Sequence, residues 1–184
     1  MCNMQSILEA MTKNIHAASG NTLHQLKKQL GKTYDEGTTK EKFAFISVCP
    51  GVDKMTASER NIMLFVASTT AMQDIGERGN GNSALPFVLR RTYYDANTSD
   101  SEKKRICDML AMELLDNGTL LRKLSKYVKR GINDYNCRFN VYILANDLLA
   151  WNESGKSASD GLTVREKWAF TIMRNKTKQE EANA

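Results

Sequence analysis

The segment Thr119–Arg130, TLLRKLSKYVKR, constrains this chain more than any other: it carries five positive charges, no negative one and a single helical phase. At about 100° per residue, Arg122, Lys123, Lys126, Lys129 and Arg130 fall within an arc of about 120°. Leu120, Leu121, Leu124, Tyr127 and Val128 fill the opposite arc. The segment is therefore a helix with one face for a core and one face that seeks anions. Solvated helices usually mix signs, because Glu and Lys at i,i+4 support each other. No acid occurs in this stretch, so the stripe is expected to stand unneutralised, as suits contact with a nucleic-acid backbone.

The rest of the chain reads as helical too. Only two prolines, Pro50 and Pro86, interrupt 184 residues, and strict period-2 alternation is hard to find. Helical spacing of apolar residues predicts helices over Ser6–Ala18 and Thr22–Leu30, with Gly20 and Gly31 as stops. Lys40–Val48 is a further helical piece. Thr56 or Ser58 caps a long segment ending near Asp74, apolar almost all round and hence the buried centre of a bundle. Gly76–Ser83 is Gly- and Asn-rich, a loop without the Gly-Lys-Ser/Thr ending of a phosphate-binding loop. Pro86 opens a helix through Tyr94, and Asp100 or Ser101 caps Glu102–Leu115. Gly131 is expected to end the basic helix. A last pair, Tyr135–Asn152 and Thr163–Met173, is split by the Ser/Gly-rich insert Glu153–Gly161. The expected architecture is all-α: two small helical bundles in series, residues 1–96 and 97–173, with a polar tail over 174–184.

Little in the chain points to catalysis. A nucleophile needs an adjacent base, and acid–base centres show as His or paired carboxylates in apolar surroundings. His16 and His24 lie among polar neighbours, and Glu113 and Asp116 sit on one helix without a metal-ligand partner. Four widely spaced cysteines, Cys2, Cys49, Cys107 and Cys137, form no CxxC pair, which argues against zinc and for reduced, buried thiols. No enzyme, metal or cofactor is expected. No run of about eighteen apolar residues occurs, and the N-terminus lacks the pattern of a signal peptide; a cytoplasmic protein without a membrane partner is expected.

Phe43, Phe45, Phe65, Tyr142, Trp151, Trp168 and Phe170 fall on apolar faces and read as core. Tyr93 or Tyr94, beside Arg90 and Arg91, could stack on a base. The net charge of +5 is moderate, so electrostatic binding must come from clusters. Lys27 and Lys28 end the second helix, and Arg90 and Arg91 lie mid-helix. Lys103, Lys104 and Arg105 open another helix, where the macrodipole disfavours cations and a structural reason for them is lacking.

The order of these pieces resembles a known family. LHQLKKQLG at Leu23–Gly31, the apolar helix Ile62–Ala71, LRR at Leu89–Arg91, LLRKLSKYV at Leu120–Val128, Asp134-Tyr135, NDLLAW at Asn146–Trp151 and VREKWA at Val164–Ala169 follow one another as in the CasB family. That family is the small subunit of the type I-E CRISPR Cascade surveillance complex. The resemblance implies a non-catalytic subunit present as two neighbouring copies beside the crRNA-binding backbone subunits. Such a subunit would stabilise the R-loop, holding target and displaced strands of DNA, with crRNA and target DNA as further partners. It directs attention to Arg122, Lys123, Lys126, Lys129 and Arg130 first, then to Arg90, Arg91, Lys104 and Arg105, then to Lys27 and Lys28. Arg165 also matches, in a role that is equally well a contact with a neighbouring carboxylate. The alternative reading is a helical protein–protein adaptor whose basic stripe docks an acidic partner.

Overall fold

A computed structural model of the chain describes residues 4–73, 81, 83–115, 118–152 and 161–174. Of the expected segments, most of Gly76–Ser83, nearly all of the insert Glu153–Gly161, the tail beyond Arg174, Cys2 and Asp116 lie outside them.

Local chemistry starts most of the helices. In α1 (Met4–His16), Ile7, Leu8, Met11 and Ile15 form one buried stripe. Ser19 caps α2 (Gly20–Lys28). Thr38 and Glu41 form a reciprocal capping box at α3 (Thr39–Val48), and Thr56 and Glu59 form another at α4 (Ala57–Met72). Each box satisfies two backbone donors that a helix start would leave open. Pro86 stands in the first turn of α5 (Leu85–Tyr94), where its missing N–H costs nothing. Ser99 caps α6 (Asp100–Ala111), Asn140 caps α8 (Val141–Leu149), and Thr163 with Glu166 boxes α9 (Val164–Met173). Between them runs α7 (Thr119–Tyr135), introduced by Gly118 in the left-handed region.

These helices make the expected all-α architecture of two small bundles in series, but the division differs from the expected one: α5, which falls within residues 1–96, packs in the second bundle. In the first, α1 and α2 pack on α3 and α4; in the second, α5 packs on α6, α7 and α9, and α6 on α9. The central helix α4 also reaches α7 and α8, so the buried apolar residues form one continuous cluster. Beyond α4, Gln73 Oε1 accepts from Phe139 N at 2.9 Å, and Ser83 pairs with Phe139 in an isolated parallel bridge. Where the bundles meet beside α7 they do so through glycine. A Cβ on Gly31 (φ +87°) would lie 2.7 Å from Ser125 Oγ, and one on Gly118 (φ +68°) 2.6 Å from Thr33 Cγ2.

The structure corrects further expectations: Tyr135 of the expected segment Tyr135–Asn152 closes α7 while α8 holds Val141–Leu149, and the cap of α6 is Ser99 rather than Asp100 or Ser101. Gly131 does not end the basic helix, which continues to Tyr135 and stops at Asn136 in the left-handed region, where Cys137 N donates to Gly131 O at 2.8 Å. Gly131 is instead a point of close approach: a Cβ there would lie 2.7 Å from Phe139 Cζ and 3.0 Å from Val88 Cγ2. Gly20 does not stop a helix but opens α2. The helix expected over Glu102–Leu115 ends at Ala111, because tertiary bonds claim the next backbone groups. Trp151 Nε1 donates to Met112 O at 2.9 Å, and the Asn152 amide both accepts from Leu114 N and donates to Leu114 O. Finally, Phe43 and Phe170 are not core; they are 67% and 63% exposed. Each lies two residues, hence about 200° of helix, from the aromatic that is buried, Phe45 or Trp168. The two tryptophans are core as expected, packed edge to face at 4.9 Å.

Candidate nucleic-acid interface

The amphipathic division of α7 is realised side chain by side chain. Leu120, Leu121, Leu124, Tyr127 and Val128 are all buried, while Arg122, Lys123, Lys126 and Lys129 are exposed and Arg130 is half-buried. Burying five such side chains supplies the packing energy, roughly 1.5–3 kcal/mol each, that holds five cations in register. Two clefts flank this face. One of about 310 Å³ is lined by Arg105, Met109, Arg122, Lys123, Lys126 and Tyr127. The other, of about 360 Å³, is lined by Lys126, Lys129, Arg130, Asn133 and Asp134. Lys126 borders both.

The stripe is not unneutralised. Glu36 Oε1 lies 2.7 Å from Arg122 Nη2, Glu102 Oε1 2.7 Å from Lys126 Nζ, and Asp95 Oδ2 and Asp134 Oδ2 3.7 and 3.8 Å from the Arg130 guanidinium. Three of these carboxylates come from other parts of the chain, which is why a window confined to Thr119–Arg130 misses them. Among the described residues, Lys123 and Lys129 make no ion pair; Lys123 Nζ instead lies 3.3 Å from Met112 Sδ.

Glu102 organises the first cleft. Its side chain is 11% exposed, and Tyr127 OH donates to it at 2.6 Å beside Lys126, while Arg105 Nη1 reaches the other oxygen at 3.3 Å. Burial pushes the Glu102 carboxyl upward, yet the bonds from Lys126 and Tyr127, the positive charge of Lys126 and the bond from Arg105 outweigh it, and the net shift is downward from 4.5. The Tyr127 hydroxyl is pushed up, by burial first and then by its bond to Glu102. At the far edge, the Thr33 backbone N–H donates to Glu36 at 2.8 Å. That bond, against burial and helped by Arg122, holds the Glu36 carboxyl below its ordinary value.

The other sequence candidates divide. Arg105 joins the α7 stripe. Arg91 stacks over the Tyr135 ring at 4.2 Å, and Arg130 approaches the same ring at 5.6 Å, so Arg91 borders the end of the stripe. Arg90, Lys104, Lys27 and Lys28 line neither cleft. Lys103 and Arg105 have the structural reason that the sequence reading lacked: Asp100 and Glu102 stand one turn back, at 3.9 and 3.3 Å. A Ser-x-x-Glu start at Ser99–Glu102 was the available signal. Tyr93 and Tyr94 pack edge to face at 5.2 Å, and Tyr94 OH donates to Met173 O, which engages both rings internally. His16 and His24 are exposed, and Glu113 lies exposed beyond the end of α6.

Chemically, the face presents guanidinium and ammonium donors along about two and a half turns of one helix, at a rise of about 5.4 Å per turn. Such donors position a phosphate backbone without reading bases. No family model, curated protein or solved structure matches the chain. Among the described residues no helix is long and apolar enough to cross a membrane.

Proposed function

We propose that this protein is a non-catalytic nucleic-acid-binding subunit that lays a strand along α7 and stabilises a crRNA-guided R-loop, in a complex of the type I-E Cascade kind. The observation that carries the reading is the row of exposed cations on α7 joined by Arg105, with Lys123 and Lys129 free of ion pairs among the described residues. R-loop formation is a nearly balanced exchange of one duplex for another, so a surface that neutralises a few phosphates suffices to tip it. The motif order from Leu23 to Met173 supports the placement beside crRNA-binding backbone subunits and a second copy of the same chain, in the cytoplasm.

The test is R-loop formation by a reconstituted crRNA-guided complex with the protein present, omitted, or neutral at Arg122, Lys123, Lys126, Lys129 and Arg130. Both omission and neutralisation should weaken the R-loop. If omission alone does so, the stripe is the wrong site; if omission has no effect, the reading falls.

A second reading, a protein–protein adaptor for an acidic partner, is favoured by a different place. A cleft of about 500 Å³ between the end of α3 and the start of α4 is lined by Tyr34, Ile46, Pro50, Val52 and Arg60, among others. Arg60 and Lys42 both stack on the Tyr34 ring, and neither makes an ion pair among the described residues. On this reading the chain captures an acidic protein and shows no polynucleotide binding.

A further inference from the structure

Two carboxylates meet the α7 stripe in different ways. Glu102 is nearly buried and receives three side-chain donors, so it belongs to the framework of the cleft. Glu36 is 46% exposed and its oxygens are divided between two donors: Arg122 Nη2 takes Oε1 at 2.7 Å, and the Thr33 backbone N–H gives to Oε2 at 2.8 Å. A guanidinium and a backbone N–H converging on two oxygens of one anion form the donor set that binds a phosphodiester. The backbone that carries both donors is held in place without help from Glu36. Thr33 is buried against Gly118, and Arg122 is anchored in α7 between Leu121 and Leu124, both buried. Gly118 gives the start of α7 no side-chain cap, and no acid stands in its first turn, so the positive end of the helix adds to the attraction for an anion there.

We infer that Arg122 and the Thr33 N–H form an oxyanion subsite, which Glu36 fills in the free protein and a backbone phosphate takes when a strand lies along α7. The inference rests on the proposed nucleic-acid reading. Glu36 then acts as an internal competitor. It lowers affinity for loose polyanions, and its cost is met only where neighbouring cations, Lys123 and Lys126 first, hold the strand as well. An exposed ion pair is weak enough to exchange: at roughly 0.2–1 kcal/mol, releasing it corresponds to at most about a fivefold change in affinity.

The experiment measures binding of a fluorescent oligothymidylate to the full chain across a salt series, for the native protein, Glu36→Gln, Arg122→Gln and the double variant. Gln at position 36 keeps an acceptor for the Thr33 N–H, so the fold is retained, as circular dichroism would verify. Glu36→Gln should bind about two- to fivefold more tightly, with the salt slope of the native protein, because the same phosphates are met in both complexes. In the Arg122→Gln background the gain should vanish. Binding by the native protein with no gain in Glu36→Gln overturns the subsite alone. An equal gain in both backgrounds also overturns it, because the carboxylate then acts through its general field. If no variant binds at any salt, the subsite and the nucleic-acid reading fall together.

Discussion

The helices α4 and α7 are the two longest in the described chain and are built to opposite plans. From Asn61 to Ala71, every residue of α4 is buried. Two of its polar side chains turn inward on their own backbone, Thr69 Oγ1 donating to Phe65 O and Thr70 Oγ1 to Val66 O, while Asn61 Oδ1 accepts from Tyr34 N. From Asn61 on this helix has no outward task, and it touches α1, α2, α7 and α8. On α7 one face does the same work, while the other carries cations that the core does not need. Partitioning within a single helix makes most of the charges of α7 separable from its stability, whereas between Asn61 and Ala71 α4 carries nothing of that kind.

That contrast can be broken most forcefully at Phe65, 1% exposed in the middle of α4. Phe65→Ala should cost about 3–5 kcal/mol in urea denaturation; a loss under 1 kcal/mol would mean that α4 is not the shared core. The intermediate case is Glu102, where a buried carboxylate serves the exposed face. Glu102→Gln should cost about 1–3 kcal/mol at neutral pH. Since the folded carboxyl lies below its ordinary 4.5, its stabilising effect is full above that value and is lost as pH falls through the lower folded one. The gap between native protein and variant should therefore close in acid, and a gap independent of pH would contradict the ion-pair account. The smallest effect on stability belongs to Lys129. Lys129→Ala should change stability by less than about 0.5 kcal/mol, yet lower the salt slope of single-strand binding by about 0.7. An unchanged slope would leave Lys129 a solvated lysine and nothing more.

The parts of the molecule legible in the sequence are those whose causes are local. The division of α7 follows from twelve consecutive residues. The start of α4 follows from Thr56 with Glu59 three residues on, and the same pattern at Thr38–Glu41 and Thr163–Glu166 marks α3 and α9. What sequence hid is what arrives from elsewhere. Glu36 lies 86 residues from Arg122, and Glu102 lies 24 from Lys126, so the stripe read as bare when it is partly paired. Gly131 reads as a stop because a glycine after a basic run usually is one; the Phe139 ring and Val88 packed against it make it an interior residue. Residues Met112–Leu115 kept a helical pattern of apolar side chains, but Trp151 and Asn152, nearly forty residues on by chain order, take their backbone groups. Phe43 and Phe170 were lost to a simpler cause: on short helices, hydrophobicity identifies a face only when angular position is checked against the neighbouring aromatic.

The glycine contacts at Gly31 and Gly118 have a mechanical meaning. Most helix seams are cushioned by side chains that rotate, and a small load is absorbed by that slack before either backbone moves. Here Ser125 stands directly against the backbone of Gly31, and Thr33 against that of Gly118, so the cushion is a single layer of atoms. A tug on Arg122 is passed across this joint to the connection between α2 and α3, and the anchorage that resists it is the whole first bundle, well beyond the helix on which the pull begins.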